Sequence, residues 1–247
     1  LKPHNHRTMN LRSDRNGLFI EGMVDTSELG RYLQLKFTKG EIQDTYTRLI
    51  DEAKKTAVSE GETPLRVFWK LLDRAHKKMP LLKCQRGCAH CCHTGIAATQ
   101  LEWDGILNNV RENGVDLNQV IEHAERTIHR VREVIRSGKN LEQVDWYRLV
   151  INQPCPFLDG EQACLIYEDR PLDCRLVVAF QGQCISKKLE YAQQGVVIEE
   201  AVGATVIAKL QHDQTPKFKR RKFQGVQPLK LLQYWLILWQ KKNKKKK

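Results

Sequence analysis

Apolar residues recur at helical spacing along most of this chain, and the strict alternation of a half-buried strand is scarce. Thr38 and Glu41 have the spacing of a capping box, which predicts a helix from about Lys39 to Glu60. Ile42, Tyr46, Leu49, Ile50 and Ala53 would form its buried stripe. Thr63 followed by Pro64 predicts a second helix with proline at its first position, carrying Leu65, Val67, Phe68, Leu71 and Leu72 and stopped by Pro80. Thr99 and Glu102 repeat the capping-box pattern for a helix that ends near Gly114. Val115 to Ser137 reads as one longer helix, Leu141 to Ile151 as a short one and Leu189 to His212 as another, although the β-branched run VVIEEAVGATVIA weakens that last segment. A final helix carries Leu229, Leu232, Trp235, Leu236 and Trp239.

The fold class this predicts is mostly α, a helical domain with cysteine-rich metal-binding loops pinned to it. Residues 1–37 read as an extended N-terminal arm. Residues 38–212 form the helical domain, with the cysteine-cluster metal-binding region at 84–184. Residues 213–247 read as a basic C-terminal extension with an apolar helix and a Lys-rich tail. The longest apolar stretch, LLQYWLILW, is well short of the roughly 20 residues a spanning helix needs, so no transmembrane segment is expected. The chain opens on leucine rather than methionine, as a fragment or a processed form would, and its first thirty residues lack the apolar run of a signal peptide.

Composition adds two facts to this picture. With 247 residues, 41% of them hydrophobic, the chain is large enough to bury a core. Its formal net charge is +12, which suits an acidic partner: nucleic acid, an anionic membrane surface or an acidic protein. The excess is concentrated in the connector KFKRRKFQ (Lys217, Lys219, Arg220, Arg221 and Lys222) and in the tail KKNKKKK. These are the candidate nucleic-acid-binding residues, for RNA or a ribonucleoprotein, through salt-dependent phosphate contacts and no recognisable motif. An apolar, aromatic helix followed by a polybasic run also allows peripheral membrane contact. A buried or protein-docking helix with a solvated tail is the plainer reading of the same residues.

The chemistry sits in eight cysteines. KCQRGCAHCCHTG places Cys84, Cys88, Cys91 and Cys92 within nine residues, and Cys155, Cys164, Cys174 and Cys184 follow in a second group. Disulfide-dense frameworks belong mainly to small secreted domains without a core, which this chain is not. Thiolates two to four residues apart converge readily on one centre, and all-cysteine ligation suits zinc or an iron–sulfur cluster (4Fe–4S). All eight are candidate metal ligands. Adjacent residues point apart, so Cys92 either serves a second centre or is a reactive thiol. His90 and His93 read as groups beside the site rather than as ligands. A zinc ion or a 4Fe–4S cluster held by four thiolates is anionic overall, and Arg86, Arg170 and Arg175 are close enough in sequence to offset that charge. Thiol ligands predict a cytoplasmic or other reducing intracellular compartment.

CPFLDGEQACLIYEDRPLDCR, taken with KCQRGCAHCC, resembles the cysteine-cluster family called CxxCxxCC or YkgJ-like, which is described as zinc- or iron-chelating. The resemblance rests on the cysteine doublet, the Cys-Pro-Phe-Leu step, the Cys-x-Ile-Tyr-Glu stretch and the Arg-Pro-x-x-Cys-Arg ending, over roughly residues 84–184. The first spacing here is Cys-x3-Cys where the family has Cys-x2-Cys. The resemblance implies a metal centre. Through the distantly similar flagellin lysine-N-methylase it also offers an alternative, a metal-dependent enzyme using S-adenosylmethionine. No GxGxxG pattern supports a conventional methyltransferase sheet. Cys84, Cys88 and Cys91 match the radical S-adenosylmethionine spacing, but the strands of its barrel are lacking and five cysteines go unused.

Overall fold

The computed structural model describes residues 10–14, 17–21, 37–78, 87–139, 144–176, 197–215 and 229–244. The chain is mostly helical, as its periodicity predicts. Strands β1 (Asn10–Asp14) and β2 (Gly17–Glu21) pair antiparallel as a hairpin within the segment read as extended. Helix α1 (Lys39–Glu60) begins at the capping box: the Thr38 hydroxyl accepts the Glu41 N–H, and the Glu41 carboxylate accepts the Thr38 N–H at 2.7 Å. Gly61, at φ 67°, closes it in the left-handed conformation that glycine adopts without strain. Helix α2 (Pro64–Lys77) starts at Thr63 with Pro64 in its first turn.

Strand β3 (Ala97–Ala98) leads into α3 (Gln100–Glu112), capped by Thr99 and Glu102. The helix expected over 115–137 is two, α4 (Leu117–His123) and α5 (Glu125–Arg136). The hydrogen bonds run on through the break, from Ala124 N–H to the Val120 carbonyl and from Ile128 N–H to Ala124. The chain bends at Ala124 (φ −95°, ψ 10°), and the buried stripe is carried past the bend by Ala124 itself, Ile128 and Val131. Short helices α6 (Trp146–Val150) and α7 (Leu172–Arg175) follow, then α8 (Ile198–Gln214), β4 (Lys230–Leu231) and α9 (Leu232–Lys244). Residues 189–196, read as the start of α8, lie outside the described residues. So do residues 141–143, read as the start of α6.

Two apolar cores share α3 as their wall. One gathers α1, α2 and α8 around Leu49, Phe68, Leu72, Val206 and Leu101. The other gathers α3 to α6, the second cysteine loop and α9. Trp103 from α3 stacks on Trp235 from α9 with ring centroids 5.9 Å apart and planes 8° apart, while the Trp235 indole donates to the Ala98 carbonyl at 2.9 Å. The two-residue pairing of β3 with β4 brings the C-terminal helix home beside the first cysteine loop. Close approach fixes two glycines. A Cβ on Gly203 of α8 would meet Leu172 at 3.0 Å, and one on Gly95 would meet Val150 at 2.9 Å.

Ion pairs finish the first core's surface. Asp213 on α8 takes hydrogen bonds from Lys54 of α1 and Lys209, both at 2.6 Å. Its partial burial works to raise the carboxyl, yet the bonds from Lys209, Lys54 and His212 hold it well below the usual carboxylate range. A lowered folded pKa contributes stability above the unfolded value of about 4, and that contribution fades as acid protonates the group. Asp213→Asn should therefore cost up to about 1 kcal/mol at neutral pH, since both lysines are well exposed. In urea denaturation the difference from wild type should shrink steadily below about pH 4; a gap that is constant from neutral to acid pH would contradict this assignment.

Candidate metal centre

The first cysteine segment enters the described chain at Gly87. A 3-10 turn, His90–His93, carries the doublet, with Cys92 N–H bonded to the Ala89 carbonyl at 3.0 Å. The His93 Nδ1 also meets that carbonyl, at 3.2 Å. The turn is clamped to the second cysteine segment by backbone hydrogen bonds. Cys155 N–H donates to the Cys92 carbonyl at 2.6 Å, and Asn152 N–H donates to His93 at 2.9 Å, with Asn152 itself at φ 60°. Two groups of cysteines more than sixty residues apart are thus adjacent at their nearest members.

From Cys155 the chain makes a small hairpin. Leu158 bridges Cys164, Leu165 N–H donates to Phe157, and the Asp159 carboxylate takes the N–H groups of Glu161 and Ala163 to close the turn. Phe157 and Ile166 are fully buried, so the apolar residues between the cysteines anchor the hairpin in the second core. Cys155 is buried, and Cys92, Cys164 and Cys174 are half-buried against the same core; Cys88 is half-buried as well.

The third piece is α7, which carries Cys174. Two buried carboxylates hold it. Glu102 is the capping-box residue of α3, but its other oxygen reaches across to accept the Leu172 N–H at 2.8 Å. Asp173 accepts the Ala97 N–H at 3.0 Å. Burial pushes the Glu102 carboxyl up, the N–H bonds from Thr99 and Leu172 oppose that, and the neighbouring Asp173 adds to the rise. Sequence reasoning found Glu102 as a cap; nothing in the spacing signals that one carboxylate serves two helix starts. Asp173 was missed, although it sits inside the RPLDCR motif.

The arginines of that motif also tie the loop to the helices. Arg175 is fully buried. Its guanidinium donates to the carbonyls of Glu168 and Arg170, pairs with Asp73 of α2 and lies 4.6 Å from the Trp69 ring centroid. Arg170 turns toward Asp73 and lies over the Tyr167 ring. Asp169, also buried, takes a two-pronged contact from Arg66 of α2 and a bond from Asn109 of α3. Charge here fixes the loop to the helices. Arg86 lies outside the described residues.

Of the eight predicted ligands, Cys88, Cys92, Cys155, Cys164 and Cys174 are described. Cys84, Cys184 and the Cys91 side chain are not, nor are Lys217, Lys219, Arg220, Arg221 and Lys222. Among the described residues, no three Cys, His, Asp or Glu side chains form a group that would hold a metal ion. The thiol donors and the Cys92–Cys155 clamp are of a kind that suits thiolate-bound zinc or iron.

Truncating Glu102 strands two buried N–H groups. Glu102→Ala should cost about 2–4 kcal/mol in chemical denaturation, and Glu102→Gln less, because it keeps one acceptor. A loss below about 1 kcal/mol for the alanine variant would remove this carboxylate from its bridging role.

Comparison with known proteins agrees with the resemblance read from the motifs. Residues 83–195 match the family model CxxCxxCC, described as "Putative zinc- or iron-chelating domain". No curated protein and no solved structure matches the chain. Residues 83–195 are thus similar to the CxxCxxCC zinc- or iron-chelating family, and the Cys92–Cys155 clamp lies inside the matched stretch.

Proposed function

We propose that this is a metal-binding protein whose cysteine cluster holds zinc or an iron–sulfur cluster as a structural or redox-active centre, in a reducing compartment, and that its basic segments dock it on an acidic partner such as an RNA-containing assembly. The observation that carries the metal reading is the backbone bond from Cys155 to Cys92. A fold has little reason to press two distant cysteine loops together, and to tie a third to them through Glu102 and Asp173, unless the loops share a task. When bound, zinc would supply a fixed tetrahedral cross-link, and an iron–sulfur cluster would supply that and an electron-transfer couple. Cys88, Cys92, Cys155, Cys164 and Cys174, with Cys84, Cys91 and Cys184, are the residues that would hold it. Pro156 and Pro171 stiffen the backbone beside two of them.

The loop between the cysteines has few residues of its own to fold around, and metal binding contributes on the order of 10 kcal/mol in small structural zinc sites. Anaerobically purified protein should therefore contain stoichiometric zinc or iron, with a visible charge-transfer band in the iron case. Cys155→Ser and Cys174→Ser should each lose metal and melt at least about 5 °C lower. Full metal content with an unchanged melting temperature in both variants would end this reading.

The docking reading predicts salt-sensitive binding to RNA. Neutralising Lys217, Lys219, Arg220, Arg221 and Lys222 and deleting residues 241–247 should weaken it and flatten its dependence on salt. Binding that ignores both salt and these changes would dismiss the partner class.

A further inference from the structure

We infer that α5 and the C-terminal end of α9 form one basic face that takes the phosphate backbone of a nucleic acid. The inference rests on the acidic-partner reading above, not on the metal, and it adds a surface outside the connector at 217–222. Its ground is an asymmetry in how the cations of the described residues are used. Around α1, α2 and α8, the larger cations are committed to carboxylates: Arg48 to Glu199, Lys54 to Asp213, Arg66 to Asp169 and Glu112, Lys70 to Glu62, and Arg175 to Asp73. The exceptions there, such as Lys39, Lys55 and Lys77, are scattered.

On the other side of the molecule the pattern reverses. Helix α5 carries Arg126, Arg130, Arg132 and Arg136 against Glu125 and Glu133. Helix α9 carries Lys241, Lys242 and Lys244 and no acidic residue, and three more lysines follow it in the sequence. The two helices therefore bring a formal excess of five positive charges to one side of a chain whose total is +12. They are packed together: the Arg132 guanidinium donates to the Gln240 side chain at 2.6 Å. Arg136 is one turn from Arg132 and Lys244 one turn from Gln240, so each helix carries a further cation within a turn of that contact. Arg126, Arg130, Arg136, Lys241, Lys242 and Lys244 are all exposed. Among the described residues, no carboxylate lies within ion-pair distance of any of the six. Glu133 is turned toward His129 at 3.5 Å. The acidic group of α3 that feels Lys242 is Asp104, itself exposed.

Like charges gathered this way repel one another, and a polyanion removes that repulsion while releasing its own counterions. Guanidinium groups add two-pronged bonding to phosphate oxygens. A membrane is the poorer fit. The apolar side of α9 is already buried, with Leu232, Trp235, Leu236 and Ile237 in the second core, so this helix has no such face left to insert. Helix α5 is about 18 Å long, enough to follow about five nucleotide steps of one strand.

The test uses the full chain and a triple variant, Arg126→Gln, Arg130→Gln and Arg136→Gln, on exposed positions of α5 that should leave circular dichroism and metal content unchanged. Binding is measured by fluorescence anisotropy across a salt series. The probes are a labelled single-stranded RNA and a DNA duplex, each about 20 nucleotides long, comfortably more than the ~5 steps α5 can cover. Polyglutamate and phosphatidylserine vesicles are run beside them. The expected result is nucleic-acid binding that the variant weakens at least about tenfold at moderate salt, with a log–log salt slope shallower by about 2, the share of three phosphate contacts on a single strand. The RNA and duplex arms then tell which polynucleotide is preferred. Equal binding to polyglutamate or to the vesicles would overturn the assignment of partner. Unchanged binding by the triple variant, with binding lost on neutralising 217–222, would overturn this face and leave the docking reading standing. No salt-sensitive binding by wild type would overturn both.

Discussion

One carboxylate, Glu102, joins the parts of this protein that carry its chemistry. Its two oxygens cap α3 at Thr99 and hold the first N–H of α7 at Leu172, and the side chain is 2% exposed. A buried acid is expensive unless its lone pairs are met, and here they are met by the N–H groups that two helix starts leave unsatisfied. The consequences spread outward from that point. Leu101, one residue before Glu102, belongs to the first core, and Trp103, one after, to the second. Leu172 packs against Gly203 of α8, and Cys174 lies in the same turn. The register of α7 therefore follows from the capping of α3, and the position of Cys174 follows from α7.

Around this bridge, buried charge adds to the apolar packing of Phe157, Leu158 and Ile166. Asp169 and Arg175 are drawn to opposite charges on α2, Arg66 and Asp73, and Arg175 also binds two carbonyls of its own loop. Removing one partner from such a pair leaves an uncompensated charge, typically worth about 3–5 kcal/mol, so these contacts specify the loop's placement even where their net stabilisation is small. Burial works to lower the Arg175 pKa against the Asp73 charge that favours its protonated form. The Cys174 thiol also works to raise it, so Arg175 faces both the helices and the cysteine loop.

Much of this was legible from local pattern. Thr38 with Glu41, Thr63 with Pro64 and Thr99 with Glu102 each marked a helix start to the residue, because capping is a short-range interaction written within four positions. Leu49, Ile50 and Ala53 of α1 and Leu65, Val67, Phe68, Leu71 and Leu72 of α2 followed from spacing, while Ile42 and Tyr46 are half-buried and Thr45, Ala57, Trp69 and His76 are buried without being signalled. What stayed hidden is non-local. The bend at Ala124 leaves both sides of the helix in register, so periodicity cannot reveal it. The two-residue β3–β4 pairing is too short to alternate. The Cys92–Cys155 bond and the reach of Glu102 to Leu172 join segments whose nearness is set by the whole packing. Among the candidate site residues, the cysteines announced themselves by type and spacing, while Asp173 and Asp73, which hold and orient the loop, look like ordinary surface acids in one dimension.

The distribution of charge completes the logic of the fold. Where the cysteine loops meet α2 and α3, acids and bases are nearly matched and several are buried, which is the condition for fixing one geometry. Where α5 meets α9, the apolar faces are spent on the core and the cations are left outside in solvent, a poor arrangement for stability and a good one for attracting an anion. Exposed single-sign charge contributes little to holding a domain together, so its concentration on two packed helices is not explained by the needs of the fold. The same chain thus separates two electrostatic environments: a charge-matched knot around the cysteines, and a charge-unmatched ridge on α5 and α9.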